Sequence, residues 1–159
     1  MKQQIIVAAL GLPISKNREK VLLTERHSPG NPAWHHKWQI AGGGVEFGES
    51  MENAVVRELS EELSVTAKII YPHPIVKTSI WKASESDEKI DTHVILTTYL
   101  VDIDDSVPDL TKDPDWETSN WGWFDLSEVE KLDCLPKTLD IVRDAFALIE
   151  HGAILPLSK

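Results

Sequence analysis

The stretch GGVEFGESMENAVVRELSEELSV, Gly43 to Val65, decides how this chain is read. From Ser50 to Leu63 it holds good helix formers and no Pro or Gly, so the spacing predicts a helix. Ser50 is the expected N-cap, its hydroxyl accepting from a free amide of the first turn. With Met51 set to zero and about 100° per residue, Ala54, Val55, Val56, Leu59 and Leu63 spread from roughly 300° through zero to 140°. On the same count Glu58 falls near ~340°, Glu62 near ~20° and Glu61 near ~280°, so the acids share the core-facing side. Like charges three and four positions apart cost a few tenths of a kcal/mol per pair even when solvated. Arg57, four positions before Glu61, neutralises only part of the cluster. Either the carboxyl pKa values rise or a cation sits among them. Mg²⁺, which takes carboxylate, water and phosphate oxygens, resolves the conflict: the acids gather to hold a metal that in turn holds an anion.

The rest of the chain agrees with an anionic ligand held through a metal. Sixteen Lys and Arg against 26 Asp and Glu give a formal charge of −10, which argues against a surface for duplex nucleic acid. The 159 residues fit one domain, 1–159, with no low-complexity tract and no fixed-period repeat. The longest apolar run, Ile5 to Ile14, is too short to span a bilayer and lacks the flanks of a cleavable signal, so a membrane role is not expected and a cytoplasmic place is. The one cysteine, Cys134, excludes an internal disulfide framework, fits a reducing compartment and reads as inert packing.

Outward from the helix, Gln4 to Leu12 and Lys20 to Glu25 read as a hairpin or neighbouring strands. His27 to Lys37 reads as an irregular loop, and Trp38 to Ala41 as a short strand entering Gly42, Gly43 and Gly44. Thr66 to Tyr71, Ile75 to Trp81, Thr92 to Asp102 and Trp121 to Asp125 read as further strands. Leu135 to Glu150 reads as a closing amphipathic helix ended by Gly152. Strands, helix, strands, helix make an α+β or mixed-sheet sandwich rather than a strict βαβ repeat.

These residues resemble the Nudix box: Gly43, Glu49, Arg57, Glu58, Leu59, Glu61, Glu62 and Val65 stand in register with its pattern. Ser64 alone departs, where the family has glycine. The resemblance implies, for essentially the whole chain, a Nudix-type α/β/α sandwich with a mixed β-sheet. It implies hydrolysis of a nucleoside diphosphate linked to a group X, with Mg²⁺ or Mn²⁺ as cofactor. Carried over by position, Glu58, Glu61 and Glu62 are the implied metal ligands and Arg57 the residue that orients them. Gly43 with Gly44 brings the loop backbone close to the helix, and Glu49 supports that loop or reaches the metal through water. Glu117 stands like a loop acid of MutT-type members, with Asp113 and Asp115 as competitors and a solvated loop residue as the plain alternative. Arg26 resembles a phosphate-contacting arginine, against a surface salt bridge. Glu58, Glu61 and Glu117 stay open as the general base.

Substrate identity lies outside the box. Trp34, Trp38, Trp116 and Trp121 border the predicted site, where a ring can stack on a base or simply fill the core; His35 and His36 lie beside Trp34. Segments marking NADH or coenzyme A hydrolases are not evident, and the short N-terminus lacks the added strand region of many ADP-ribose hydrolases. The expected activity is therefore that of a MutT-like nucleoside triphosphate pyrophosphatase on a small nucleotide. A nucleotide-sugar or ADP-ribose pyrophosphatase is the enzyme alternative, and a non-catalytic nucleotide-binding protein the alternative of another class. The resemblance also allows a homodimer, with exposed strand edges as a route.

Overall fold

The structure, a computed structural model, describes residues 2–86 and 89–157; the two ends of the expected 1–159 domain lie outside them. The first strand, β1 (Gln3–Pro13), is followed by β2 (Val21–Arg26), β3 (Trp38–Gln39) and β4 (Ala41–Gly44). Helix α1 (Met51–Leu63) leads to β5 (Lys68–Ile69), β6 (Ile75–Trp81), β7 (Asp91–Asp102) and β8 (Thr118–Phe124). Two helices, α2 (Leu126–Val129) and α3 (Thr138–Glu150), complete the order. In the larger sheet β1 and β7 run parallel from Gln3 opposite Asp91 to Pro13 opposite Val101, which makes the sheet mixed. There β4 lies antiparallel on the outer side of β1, with Ala8 facing Gly44 and Gly11 facing Ala41, while β5 and β6 pair with the other side of β7. The smaller sheet, in the order β3, β2, β8, is antiparallel.

Side chains alternate between the two faces of a strand, and β1 uses both. Ala8, Leu10 and Leu12 join Ile141, Val142 and Ala145 of α3 in one buried cluster. Ala9 faces the other way and joins Ala54, Val55, Leu59 and Leu63 of α1, with Tyr99 and Val101 of β7. The large sheet is thus buried between two helical layers, the α/β/α sandwich with a mixed β-sheet that the resemblance implies.

Several elements differ in extent from their expectation, each for a local reason. The β1 and β2 strands are not a hairpin: after a single bridge between Ile14 and Val21 they part into different sheets. The segment Trp38 to Ala41 is likewise two strands, because the chain changes sheets at the buried Ile40 and β4 continues through the glycines. Thr66 to Tyr71 contracts to Lys68–Ile69, where it pairs in register with Asp102 and Val101 of β7, and the Ile70 amide adds one bond to the Leu100 carbonyl. The last helix starts at Thr138 rather than Leu135, since Pro136 disfavours helical backbone at the residue before it and Lys137 is left-handed with φ 74°. Asp125, expected at the end of a strand, caps α2 instead in a reciprocal capping box with Glu128.

Candidate active site

Helix α1 starts as the sequence predicts, with the Ser50 hydroxyl accepting from the Asn53 amide at 3.1 Å. Its C-terminal half presents the acids to the glycine strand β4. Glu62 is 8% exposed; its Oε2 accepts from the Gly42 amide at 3.1 Å and its Oε1 from the Thr118 hydroxyl at 2.8 Å. Burial pushes its pKa up to about 7, against the two hydrogen bonds that favour the anion, and neighbouring Asp113 and Glu58 push the same way. Burial likewise raises the Glu58 pKa, opposed by Arg57.

Arg57 sits at the hub of these charges. Its guanidinium meets Glu49 with two hydrogen bonds, Nε to Oε2 at 2.6 Å and Nη2 to Oε1 at 3.0 Å. The Nη1 group donates to Glu58 at 3.0 Å and Glu61 at 3.3 Å, and Nη2 also to the Gly44 carbonyl at 3.2 Å. The bond from Arg57 holds the Glu49 carboxyl below the usual carboxylate range. Glu49 also accepts from the Glu46 amide at 3.1 Å, so it braces the loop between β4 and α1. A planar fork matched to two carboxylate oxygens fixes orientation as well as charge, and Arg57 thereby sets the positions of Glu58 and Glu61.

The glycines make room for this arrangement. A Cβ at Gly43 would stand 2.7 Å from Glu58 Oε1 and 2.9 Å from Oε2, so no larger residue leaves the carboxylate where it is. Gly42 has φ 146° and its missing Cβ would collide with the Ala9 carbonyl, a backbone state open to glycine and strained for other residues.

Six carboxylates, Glu58, Glu61, Glu62, Asp113, Asp115 and Glu117, border a cavity of about 170 Å³ against Gly42, Gly43 and Gly44. The expected ligands Glu58, Glu61 and Glu62, the loop acid Glu117 and both competitors therefore meet in one place. Asp113 is 6% exposed and accepts from the amides of Asp115 and Glu117, each at 3.1 Å, so it shapes the loop that presents Glu117. Among the described residues, no three His, Cys, Asp or Glu side chains are already gathered around one ion position. The hydrogen bonds give the reason: Arg57 draws Glu58 and Glu61 to itself, while Gly42 and Thr118 hold Glu62. The donors nevertheless suit a hard divalent cation. They are all oxygens, and the buried Glu62 carboxylate is relieved only by a proton or a cation.

A second cavity of about 190 Å³ meets the first at Gly42 and Gly43 and lies on the α3 side of the sheet. Arg26 borders it and pairs with Glu117 at 3.2 Å, so this ion pair links the two cavities. The Arg26 guanidinium lies 5.0 Å from the Trp34 ring centroid, and Trp34 meets Trp81 edge to face at 5.2 Å.

Trp38 stands apart from both cavities: its ring packs edge to face on Phe124 at 5.0 Å, and its backbone bonds to Asp133 and Leu135. It supports Leu135 rather than facing a ligand, because β3 turns its side chain into the core cluster. Trp121 is packed against the α1 cluster, and Trp116 is 69% exposed. His35 Nδ1 accepts from the Ser28 amide at 3.1 Å, which folds the loop locally. Sequence reasoning missed Thr118, although it directly follows Glu117, and Trp81, whose signal was only its place at a strand end.

The NUDIX domain family model matches residues 5–146. The chain belongs to the Nudix family. Members generally use divalent metal ions, in keeping with the oxygen-lined cavity. Among curated relatives, an RNA pyrophosphohydrolase of Ruthia magnifica is 34% identical over 46% of this chain and 37% of that protein. The chain thus spans little more than a third of that relative. The nucleoside triphosphatase NudI of an Enterobacter species is 30% identical over 87% of this chain and 99% of that protein. Among solved structures, a MutT protein from Methanosarcina mazei superposes with a TM-score of 0.67 at 20% identity, over 96% of this chain and 97% of that one, which supports the Nudix fold. Among the described residues no helix is long and apolar enough to cross a membrane.

Proposed function

We propose that this chain hydrolyses a nucleoside diphosphate linked to a group X, as a MutT-like nucleoside triphosphate pyrophosphatase that gives a nucleoside monophosphate and pyrophosphate. The observation that carries this reading is the junction at Gly42 and Gly43, where a carboxylate-lined cavity meets a largely apolar one beside Arg26. Phosphates belong over the acids, where a cation offsets their charge, and the nucleoside belongs beyond the glycines. The near full-length match to a nucleoside triphosphatase supports a triphosphate.

Mg²⁺ or Mn²⁺ would be held by Glu58, Glu61 and Glu62 with Glu117 at hand, and supplies polarisation of a phosphoryl oxygen and acidification of water. The remaining work falls to the chain. Arg57 holds Glu58 and Glu61 in place, and Thr118 with the Gly42 amide fixes both oxygens of Glu62. Arg26 offers a positive charge to phosphate at the junction, in exchange for its bond to Glu117. One carboxylate left uncommitted, from Glu58, Glu61 or Glu117, accepts the proton of the attacking water.

The test is a screen of nucleoside triphosphates, ADP-ribose, nucleotide sugars and dinucleoside polyphosphates, with Mg²⁺ or EDTA, reading phosphate and pyrophosphate. Pyrophosphate from triphosphates with Mg²⁺ and none with EDTA is the expected result. Turnover of ADP-ribose or a nucleotide sugar alone would replace the triphosphate reading. Silence across the panel would sink the hydrolase reading.

A further inference from the structure

A sheet edge left open is a template for another strand, and the two sheets here close their edges with one exception. On the outer side of β4 the Gly42 amide donates to Glu62 and the Gly44 carbonyl accepts from Arg57, so side chains of α1 occupy that edge. Strands β3 and β5 are two residues each, too short to receive a partner, and Trp38 of β3 already bridges to Cys134. Strand β8 is blunted twice: its ladder with β2 breaks register at Glu25 and Arg26, and the Trp121 amide is taken by the side chain of Asn120. The exception is β6. It lies against β7 in unbroken register from Ile75 to Trp81, and among the described residues no other backbone segment bonds to its outer side.

The usual safeguards are missing from this edge as well. Proline, a bulge or an outward charge keeps natural edges from pairing, whereas IVKTSIW holds no proline, no register shift and one charge. That charge, Lys77, is tied to Asp144 of α3 at 2.8 Å. The opposite face of β6, the one that carries α1, presents Val76, Thr78 and Ile80, all exposed, the valine at 53% and the isoleucine at 65%. Their rows run inward through Thr97 to Ala9, Ile95 to Val7 and His93 to Ile5, so this face of the three strands holds no Asp, Glu, Lys or Arg there. In a chain of formal charge −10, a neutral face beside an open edge is where a body of like charge approaches with least repulsion.

We infer that β6 pairs antiparallel with β6 of a second copy of this chain, about a two-fold axis at Thr78, so that the two large sheets become one. Thr78 is the middle residue of the strand, and this register therefore pairs its whole length. The pairing is self-complementary, as a two-fold interface must be: Val76 stands opposite Ile80 of the second copy, Ile80 opposite Val76, and Thr78 opposite Thr78. Threonines directly opposite one another hydrogen-bond, and branched apolar side chains pack across a ladder. On the other face Lys77 meets Ser79, so no like charges are opposed. An unrelated extended peptide would find the same backbone groups, but the matched side chains across the two-fold select the chain itself. The inference is independent of the activity proposed above, since β6 supplies none of the acids.

Sedimentation equilibrium of the full chain in EDTA, at about 1 μM to 1 mM, reads the association directly. The mass is expected to rise from that of one chain towards that of two and to stop there. Added salt should strengthen the dimer, because it screens the repulsion between chains of like charge. Val76→Lys and Ile80→Lys change exposed positions and leave the core untouched; each sets a lysine against an apolar residue of the second copy and is expected to weaken association by about tenfold or more. A crosslink checks the register. With Cys134→Ala removing the one native thiol, Thr78→Cys brings two thiols opposite each other, where the Cα atoms of an antiparallel pair lie about 4.5–5.5 Å apart, within the span of a disulfide. Mild oxidation should link this variant about tenfold faster or more than Ile5→Cys in the same background, which lies on the same face two strands in from the edge. A chain that stays single up to about 1 mM would overturn the inference, and so would a dimer that survives both lysine variants or links no faster through position 78 than through position 5.

Discussion

Glu62 binds its proton more tightly in the folded chain than out of it, since burial raises its pKa to about 7 from 4.5. A carboxyl whose folded pKa is raised contributes stability below the unfolded value that is lost as pH climbs to the folded one. The metal-free protein is therefore expected to lose roughly 3 kcal/mol between about pH 4.5 and 7 from this group. Glu62→Gln isolates the effect, because Gln keeps the shape and can still accept from Gly42 and donate to Thr118. Urea unfolding in EDTA should show the variant more stable than wild type at pH 8 and equal to it at pH 4, while Mg²⁺ affinity and turnover fall sharply; a wild-type pH profile in the variant would exclude the buried carboxyl as its source. Gly43→Ala acts on the neighbouring acid from the backbone side. With a Cβ 2.7 Å from Glu58 Oε1 the carboxylate must move, and a displaced ligand typically costs about 10- to 100-fold in metal affinity. Calorimetry with Mn²⁺ measures that loss, and an unchanged affinity would remove Glu58 from the ligand set.

Elements show why some features were legible in the sequence and others were not. Helix α1 was readable because its cap, its apolar stripe and the azimuths of Glu58 and Glu62 all follow from local spacing. The splitting of β1 from β2, and of Trp38–Gln39 from β4, was not, because alternation marks a strand but not the sheet that receives it. The same limit hid Trp38's role: proximity to the glycines along the chain suggested a ligand contact, and the sheet change at Ile40 put the ring on Phe124 instead. The end of α1 is a case where the sequence posed the right question. Ser64 stands in the left-handed region at φ 56° and ψ 37°, its amide donating to the Ser60 carbonyl, so the helix stops in the manner that usually employs glycine. A left-handed non-glycine residue costs about 1–2 kcal/mol, partly offset by the extra freedom glycine gains when unfolded. Ser64→Gly is thus expected to stabilise the protein by about 0.5–1 kcal/mol with turnover unchanged, as read by the denaturation midpoint. A destabilised variant would mean that the serine relieves the strain through its own contacts.

At the scale of the molecule, the site exists only because two sheets are held in register: the large one supplies the glycines, the small one Arg26 and, at the start of β8, Thr118. Arg18, in the turn where β1 and β2 part, ties that turn to the large sheet. It pairs with Asp102 at the end of β7 at 2.8 Å, and its Nε donates to the Leu155 carbonyl at 3.0 Å, tying in the C-terminal segment. Both partners are shielded, with side-chain exposures of 4% and 12%. Removing one partner of a buried pair strands the other charge at a cost of about 3–5 kcal/mol, whereas replacing both with apolar groups of similar size is often neutral. Asp102→Ala should therefore cost about 3 kcal/mol, at the low end because the bonds from Arg18 to the Leu155 and Ser15 carbonyls remain. The double replacement Arg18→Met with Asp102→Leu should recover most of that loss. Exposure sets the contrast nearby: Lys16 and Asp105 also form an ion pair, but at 50% and 92% exposure, and solvent-exposed pairs contribute about 0–1 kcal/mol. Asp105→Ala should hardly move the urea midpoint. If it destabilises as much as Asp102→Ala, burial is not what distinguishes the two pairs.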